Sequence, residues 1–105
     1  MPMTILITRD VPDRVRGFVG SVMLELGPGF YVAPVLSAAV RNRIWQVLTD
    51  WQGELAQGSV VLAWQDARAT GGIGLSFLGT PAREIVEHDG LYLSRLRDAP
   101  ALPPR

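Results

Sequence analysis

Arg9, Arg14 and Arg16 crowd one short run, Thr8-Arg9-Asp10-Val11-Pro12-Asp13-Arg14-Val15-Arg16-Gly17. Guanidinium forks match the oxygens of a phosphate, and a helix starting in the same run adds unpaired N–H groups and partial positive charge. Phosphate binding is therefore the chemistry this stretch offers. Its bland counterpart is a solvated surface in which Asp10 and Asp13 balance the arginines, because exposed ion pairs contribute little. Asp10 has a second reading. It ends the first strand, and two copies facing each other across a two-fold axis would make a candidate magnesium site, which one carboxylate alone does not. Set against that is a local turn or cap role. His88 is the only histidine. It has no local Ser-His-Asp partner spacing, so no catalytic residue is assigned. Gly71-Gly72-Ile73-Gly74 opens no helix and lacks the lysine of a phosphate loop, so it is a turn.

The elements around these residues follow from periodicity. Thr4-Ile5-Leu6-Ile7-Thr8 is a strand rich in β-branched residues. Pro12 suits the first position of a helix whose stripe is Val15, Phe18, Val19, Val22, Met23 and Leu26, with Gly27 as its stop. Gly29 to Ala33 is a second strand. Ser37 caps a second helix with Val40, Ile44, Val47, Leu48, Trp51 and Leu55 on one stripe, running to Gly58. Ser59 to Trp64 is an almost wholly apolar, central strand. Ile73 to Leu78 is a fourth, with Ile73, Leu75 and Phe77 on one face. A charged connection then ends in His88-Asp89-Gly90, and Leu91 to Leu96 alternates as a last strand. Trp45, Trp51 and Trp64 have aliphatic neighbours and are core residues rather than base-stacking platforms. Two helices interleaved with strands make an α+β ferredoxin-like βαββαβ sandwich with extra C-terminal strands. Residues 1–97 form one domain and 98–105 a proline-rich tail. The last strand is an edge without an obvious mate, expected to pair across a dimer or lie at a partner contact.

The bulk properties narrow the classes. The 105 residues carry ten basic and ten acidic side chains, so net charge is zero and generic adhesion to nucleic acid is not expected. Every basic residue is arginine. No cysteine is present, which excludes disulfides, thiolate catalysis and cysteine zinc sites and fits a cytoplasmic protein. No apolar run has the length of a membrane span, and no signal peptide is visible.

Ordered along the chain are Thr8 with Val11-Pro12-x-Arg14-x-Arg16-Gly17, Gly29-x-Tyr31-Val32, Arg41-x-x-Ile44-Trp45, Gly58-x-Val60-Val61-x-Ala63-Trp64, Thr70-Gly71, and Asp89-Gly90-Leu91-x-Leu93. This set resembles the small CRISPR adaptation protein family Cas2, in its type I-E form. The resemblance implies a ferredoxin-like homodimer held between dimers of the Cas1 integrase. The assembly carries a DNA duplex into the CRISPR array, with the strand-transfer chemistry done by Cas1. It implies phosphate contacts for Arg14 and Arg16. In the loop before the last strand only Arg83 matches a second arginine pair, since Ala82 stands in the other place. Arg9 joins the DNA-binding candidates, although type I-E members tend to carry an acid there and an amide in place of Asp10. More distant relatives have an aspartate at the Asp10 position, linked to metal-dependent nuclease activity. The expected function is a non-catalytic DNA-binding scaffold that needs no cofactor. The alternatives are a magnesium-dependent nuclease built on Asp10 from each protomer, and a ferredoxin-like regulatory module for a small ligand.

Overall fold

The computed structural model describes residues 3–51, 58–79 and 83–96. They form β1 (Thr4–Arg9), α1 (Asp13–Val22), β2 (Leu24–Gly27), β3 (Phe30–Ala33), α2 (Ala38–Asp50), β4 (Ser59–Gln65), β5 (Ile73–Gly79), β6 (Arg83–His88) and β7 (Leu91–Leu96). The main sheet is antiparallel with strand order β2-β3-β1-β4-β5, and β6 and β7 make a separate pair. The β1-α1-β2-β3-α2-β4 portion has the order of a ferredoxin-like sandwich, and β5 extends it at the β4 edge. The α+β fold class expected from the sequence is therefore the one found.

Strand alternation decides which residues meet the helices. Leu6 lies opposite Tyr31 and Leu62, and Val60 lies opposite Leu78. These side chains form one buried cluster with Val15 and Val19 of α1 and Ile44 and Leu48 of α2. Trp45, Trp51 and Trp64 pack against that cluster, as their aliphatic neighbours predict. The other face is apolar too. Ile5 lies between Val32 and Ala63, Ile7 lies between Phe30 and Val61, and Phe77 pairs with Val61. No described helix covers this face: Ile5 is 38%, Phe30 51% and Phe77 41% exposed. Ile73, Leu75 and Phe77 do share a face, and it is this uncovered one.

Ser37 caps α2 as expected, its hydroxyl accepting from the Val40 N–H at 3.2 Å. Pro12 is the residue before α1 rather than its first helical residue, with extended φ and ψ. The α1 stripe also ends sooner than its spacing predicts. Met23 is extended, and Leu26 lies on strand β2, where Leu24 pairs with Val32 and Glu25 with Tyr31. Pairing with β3 outweighs the helical spacing of one leucine. The charged connection before Asp89 is likewise a strand, β6. It pairs along its whole length with β7, and Glu84 bonds Arg95 across the ladder at 3.1 Å. The last strand therefore finds a mate in its own chain. Asp89 and Gly90 both have positive φ, as a type I′ hairpin turn requires. Leu55, the Pro81-Ala82 loop and the 98–105 tail lie outside the described residues.

Tyr31 gives the core a pH signature. It is 2% exposed. Burial, then the charge of Glu25 and a hydrogen bond with it, push the phenol above its ordinary value of 10.0, while Arg16 pulls slightly the other way. A pKa higher in the folded than in the unfolded chain contributes stability that is complete below the unfolded value. That stability is lost as pH rises through the folded one. Thermal unfolding should therefore be insensitive to this group at neutral pH and move to lower temperature above about pH 10. In Tyr31→Phe that alkaline limb should flatten, and an unchanged limb would assign it to other groups.

Candidate nucleic-acid interface

The site lies where β1 hands over to α1. Two glycines hold the backbone there. Gly29, at φ +79°, ends the turn into β3; its carbonyl accepts from the Thr8 N–H at 2.7 Å and from the Thr8 hydroxyl at 3.3 Å. A Cβ on Gly29 would stand 2.7 Å from the Thr8 carbonyl oxygen. Gly58, entering β4, lies so close to the Arg9 and Asp10 carbonyls that a Cβ would collide with both. Asp10 itself is left-handed at φ 53°, a conformation Asp tolerates better than most residues. The strand end is thus clamped from both neighbouring strands, and the chain turns sharply into α1.

Arg14 and Arg16 leave that helix on different sides, because two residues along a helix is about 200° of rotation. Arg14 turns towards the end of α2, where its guanidinium carbon sits 4.2 Å from the centre of the Trp51 ring. Arg16 turns towards the β2–β3 hairpin and bonds Asp13. That hydrogen bond, with the charge of Asp13, raises the pKa of a guanidinium that is already always protonated. Arg16 also borders an open polar hollow with Thr8, Asp10, Val11, Pro28 and Gly29. Arg9 belongs to the opposite sheet face, with Ile5 and Ile7, and its Nε lies 3.8 Å from the Asp10 carboxylate. Asp10 and Asp13 are not the only acids here: Glu25, which accepts from the Gly29 N–H at 3.2 Å, lies beside Arg16. The three arginines therefore stand among three carboxylates, and the basic character rests on placement rather than on net charge.

Arg83 sits elsewhere, exposed at the start of β6. Gly79, four residues earlier, pairs with Ser59, which pairs with Arg9. Chain length therefore keeps the Arg83 Cα within about 14 Å of the Gly79 Cα. His88 ends β6 and pairs with Leu91. Asp10 is 70% exposed at its side chain. Among the described residues no group of three His, Cys, Asp or Glu side chains could hold a metal ion. A single exposed carboxylate beside a guanidinium does not fit a magnesium site within one chain. Periodicity placed Trp51 in the core but carried no sign of its contact with Arg14, since the two belong to different helices.

The profile of a CRISPR-associated protein family, Cas_Cas2CT1978, matches residues 3–93, all but the two ends of the chain. The chain belongs to this Cas2 family. The match spans β1 through the first half of β7, so every arginine of the site lies inside the matched Cas2 region. No helix among the described residues of this Cas2 protein is long and apolar enough to cross a membrane.

Proposed function

We propose that this Cas2 protein is a DNA-binding scaffold subunit of a type I-E CRISPR spacer-integration complex. It works as a homodimer that bridges two Cas1 dimers and supports the duplex between them. The observation that carries the reading is the placement of Arg14 and Arg16. They are exposed on two sides of one helix start, so they would reach different phosphates of one duplex. Arg9 and Arg83 extend the basic surface. Phosphate contacts carry no base identity, which suits a scaffold that must accept any sequence. A two-fold axis doubles these four arginines, so an electroneutral chain can still present a basic track.

The uncovered sheet face supports the dimer. Ile5, Ile7, Phe30, Val61 and Phe77 form a continuous apolar surface, and contiguous apolar surfaces of this kind mark association sites. A second copy offers the same apolar surface in return, as an isologous contact demands.

Duplex binding tests the reading, with the parent compared against the paired arginine replacement across a salt series. The nuclease alternative has its own test. Asp10→Asn keeps a residue that tolerates the left-handed backbone but removes the charge of a metal ligand. Duplex affinity and spacer integration should stay within about twofold of the parent, since neutralising Asp10 frees Arg9 rather than breaking a contact to DNA. A magnesium-dependent cleavage of DNA that purifies with the parent and disappears in Asp10→Asn would replace the scaffold reading with the enzymatic one.

A further inference from the structure

We propose that Trp51 is a positioning residue for DNA binding: its indole face holds the Arg14 guanidinium at the end of α2, where a phosphate would meet it. The inference rests on the DNA reading above and deepens it at one residue.

The geometry is specific. The guanidinium carbon of Arg14 stands 4.2 Å from the Trp51 ring centre, within the range of a cation–π contact. Phe18, one turn further along α1, meets the same indole edge-on, with ring centres 5.6 Å apart and planes at 78°. The indole is thus braced by α1 on its edge and carries a cation of α1 on its face. Trp51 is also fixed by its backbone, since its N–H caps α2 by bonding the carbonyls of Leu48 and Thr49. A cation–π contact engages the face of a guanidinium, whereas phosphate oxygens are met by its in-plane N–H groups, so the two contacts do not compete for the same atoms. A free arginine side chain must give up much of its rotamer freedom to bind. One already stacked has lost part of it on folding, so less is lost when the phosphate arrives.

The core reading of Trp51 does not by itself account for this arrangement. An aliphatic side chain would seal the end of α2 equally well but would offer Arg14 no π face. Arg41 stacks on Trp64 in the same way, with its guanidinium carbon 4.1 Å from the ring centre. Trp64 pairs with Thr4 at the start of β1, so that pair belongs to the other end of the sheet. It serves as an internal control.

The test is a double-mutant cycle on binding of the full chain to a mixed-sequence DNA duplex, followed by fluorescence at several salt concentrations. Trp51→Met keeps apolar packing against Phe18 and removes the ring. It should weaken binding about fivefold with the salt slope unchanged, because no phosphate contact or charge is deleted. Trp51→Phe, which keeps a π face, should stay within about twofold of the parent. In an Arg14→Ala background Trp51→Met should cause no further loss. Arg14→Lys leaves α2 untouched, keeps the charge and gives up the planar stack, so it should also weaken binding with the slope retained. Trp64→Met, at the control pair, should leave duplex affinity unchanged. Equal losses from Trp51→Met with and without Arg14, or full affinity in Trp51→Met or Arg14→Lys, would overturn the positioning role and leave the Arg14 contact standing. Full affinity in Arg14→Ala would instead remove the phosphate contact itself.

Discussion

Replacing Arg14 and Arg16 together by alanine should lower duplex affinity by about a hundredfold or more. A hydrogen bond to a charged group is worth about 1.5–3 kcal/mol, so each lost contact is about tenfold or greater. The slope of log affinity against log salt should become shallower by about 0.9 for each phosphate contact removed, because fewer condensed counterions are released. The loss should be the same on unrelated sequences, since phosphate oxygens do not report the base. Thermal stability should fall only modestly, as both side chains are exposed and what is lost in the protein itself is the surface pair of Arg16 with Asp13 and the stack of Arg14 on Trp51. Equilibrium titrations at a series of salt concentrations give both quantities. Unchanged affinity and slope would mean that the duplex lies on another surface.

The second large effect concerns the uncovered sheet face. Ile5→Glu puts a carboxylate at the middle of that face, between Val32 and Ala63 on the central strand. In a dimer closed by this face each copy would bury that charge without a partner, at a cost of several kcal/mol per site. Within one chain the cost is small, because Ile5 is 38% exposed and points away from the helix-side core. Sedimentation equilibrium should therefore find a dimeric parent and a monomeric Ile5→Glu with an unchanged circular-dichroism spectrum. Leu24→Glu is a graded companion. It lies on the outermost strand and is 61% exposed, so its effect should be weaker. A dimeric Ile5→Glu would place the contact elsewhere, and a monomeric parent would remove the two-fold axis on which the doubled basic track depends.

What the sequence determined by itself is what local patterning can carry. The strand Thr4 to Thr8, the Ser37 cap, the Ile44–Leu48 stripe and the apolar strand from Ser59 all rest on side-chain spacing or on a single capping hydroxyl, and all are found. The crowding of Arg9, Arg14 and Arg16 at a strand-to-helix junction was legible for the same reason. The hairpin of β6 and β7 was partly legible as well. Asp89-Gly90 is a strong two-residue turn signal, but the charged run before it hid the first strand, since acidic and basic residues are poor evidence for a sheet until a mate is known.

Tertiary structure decided the rest, because the deciding contacts join segments distant in sequence. Leu24 to Gly27 fits the end of a helix or a short edge strand equally well, and only β3 chooses between them. The sequence showed two arginines separated by one valine. Folding sends one to the indole of Trp51, on the other helix, and the other to Asp13 beside the β2–β3 hairpin. It also left one apolar sheet face beneath the helices and the other without a helix among the described residues. Alternation alone could not assign those two faces, because apolar residues occupy both.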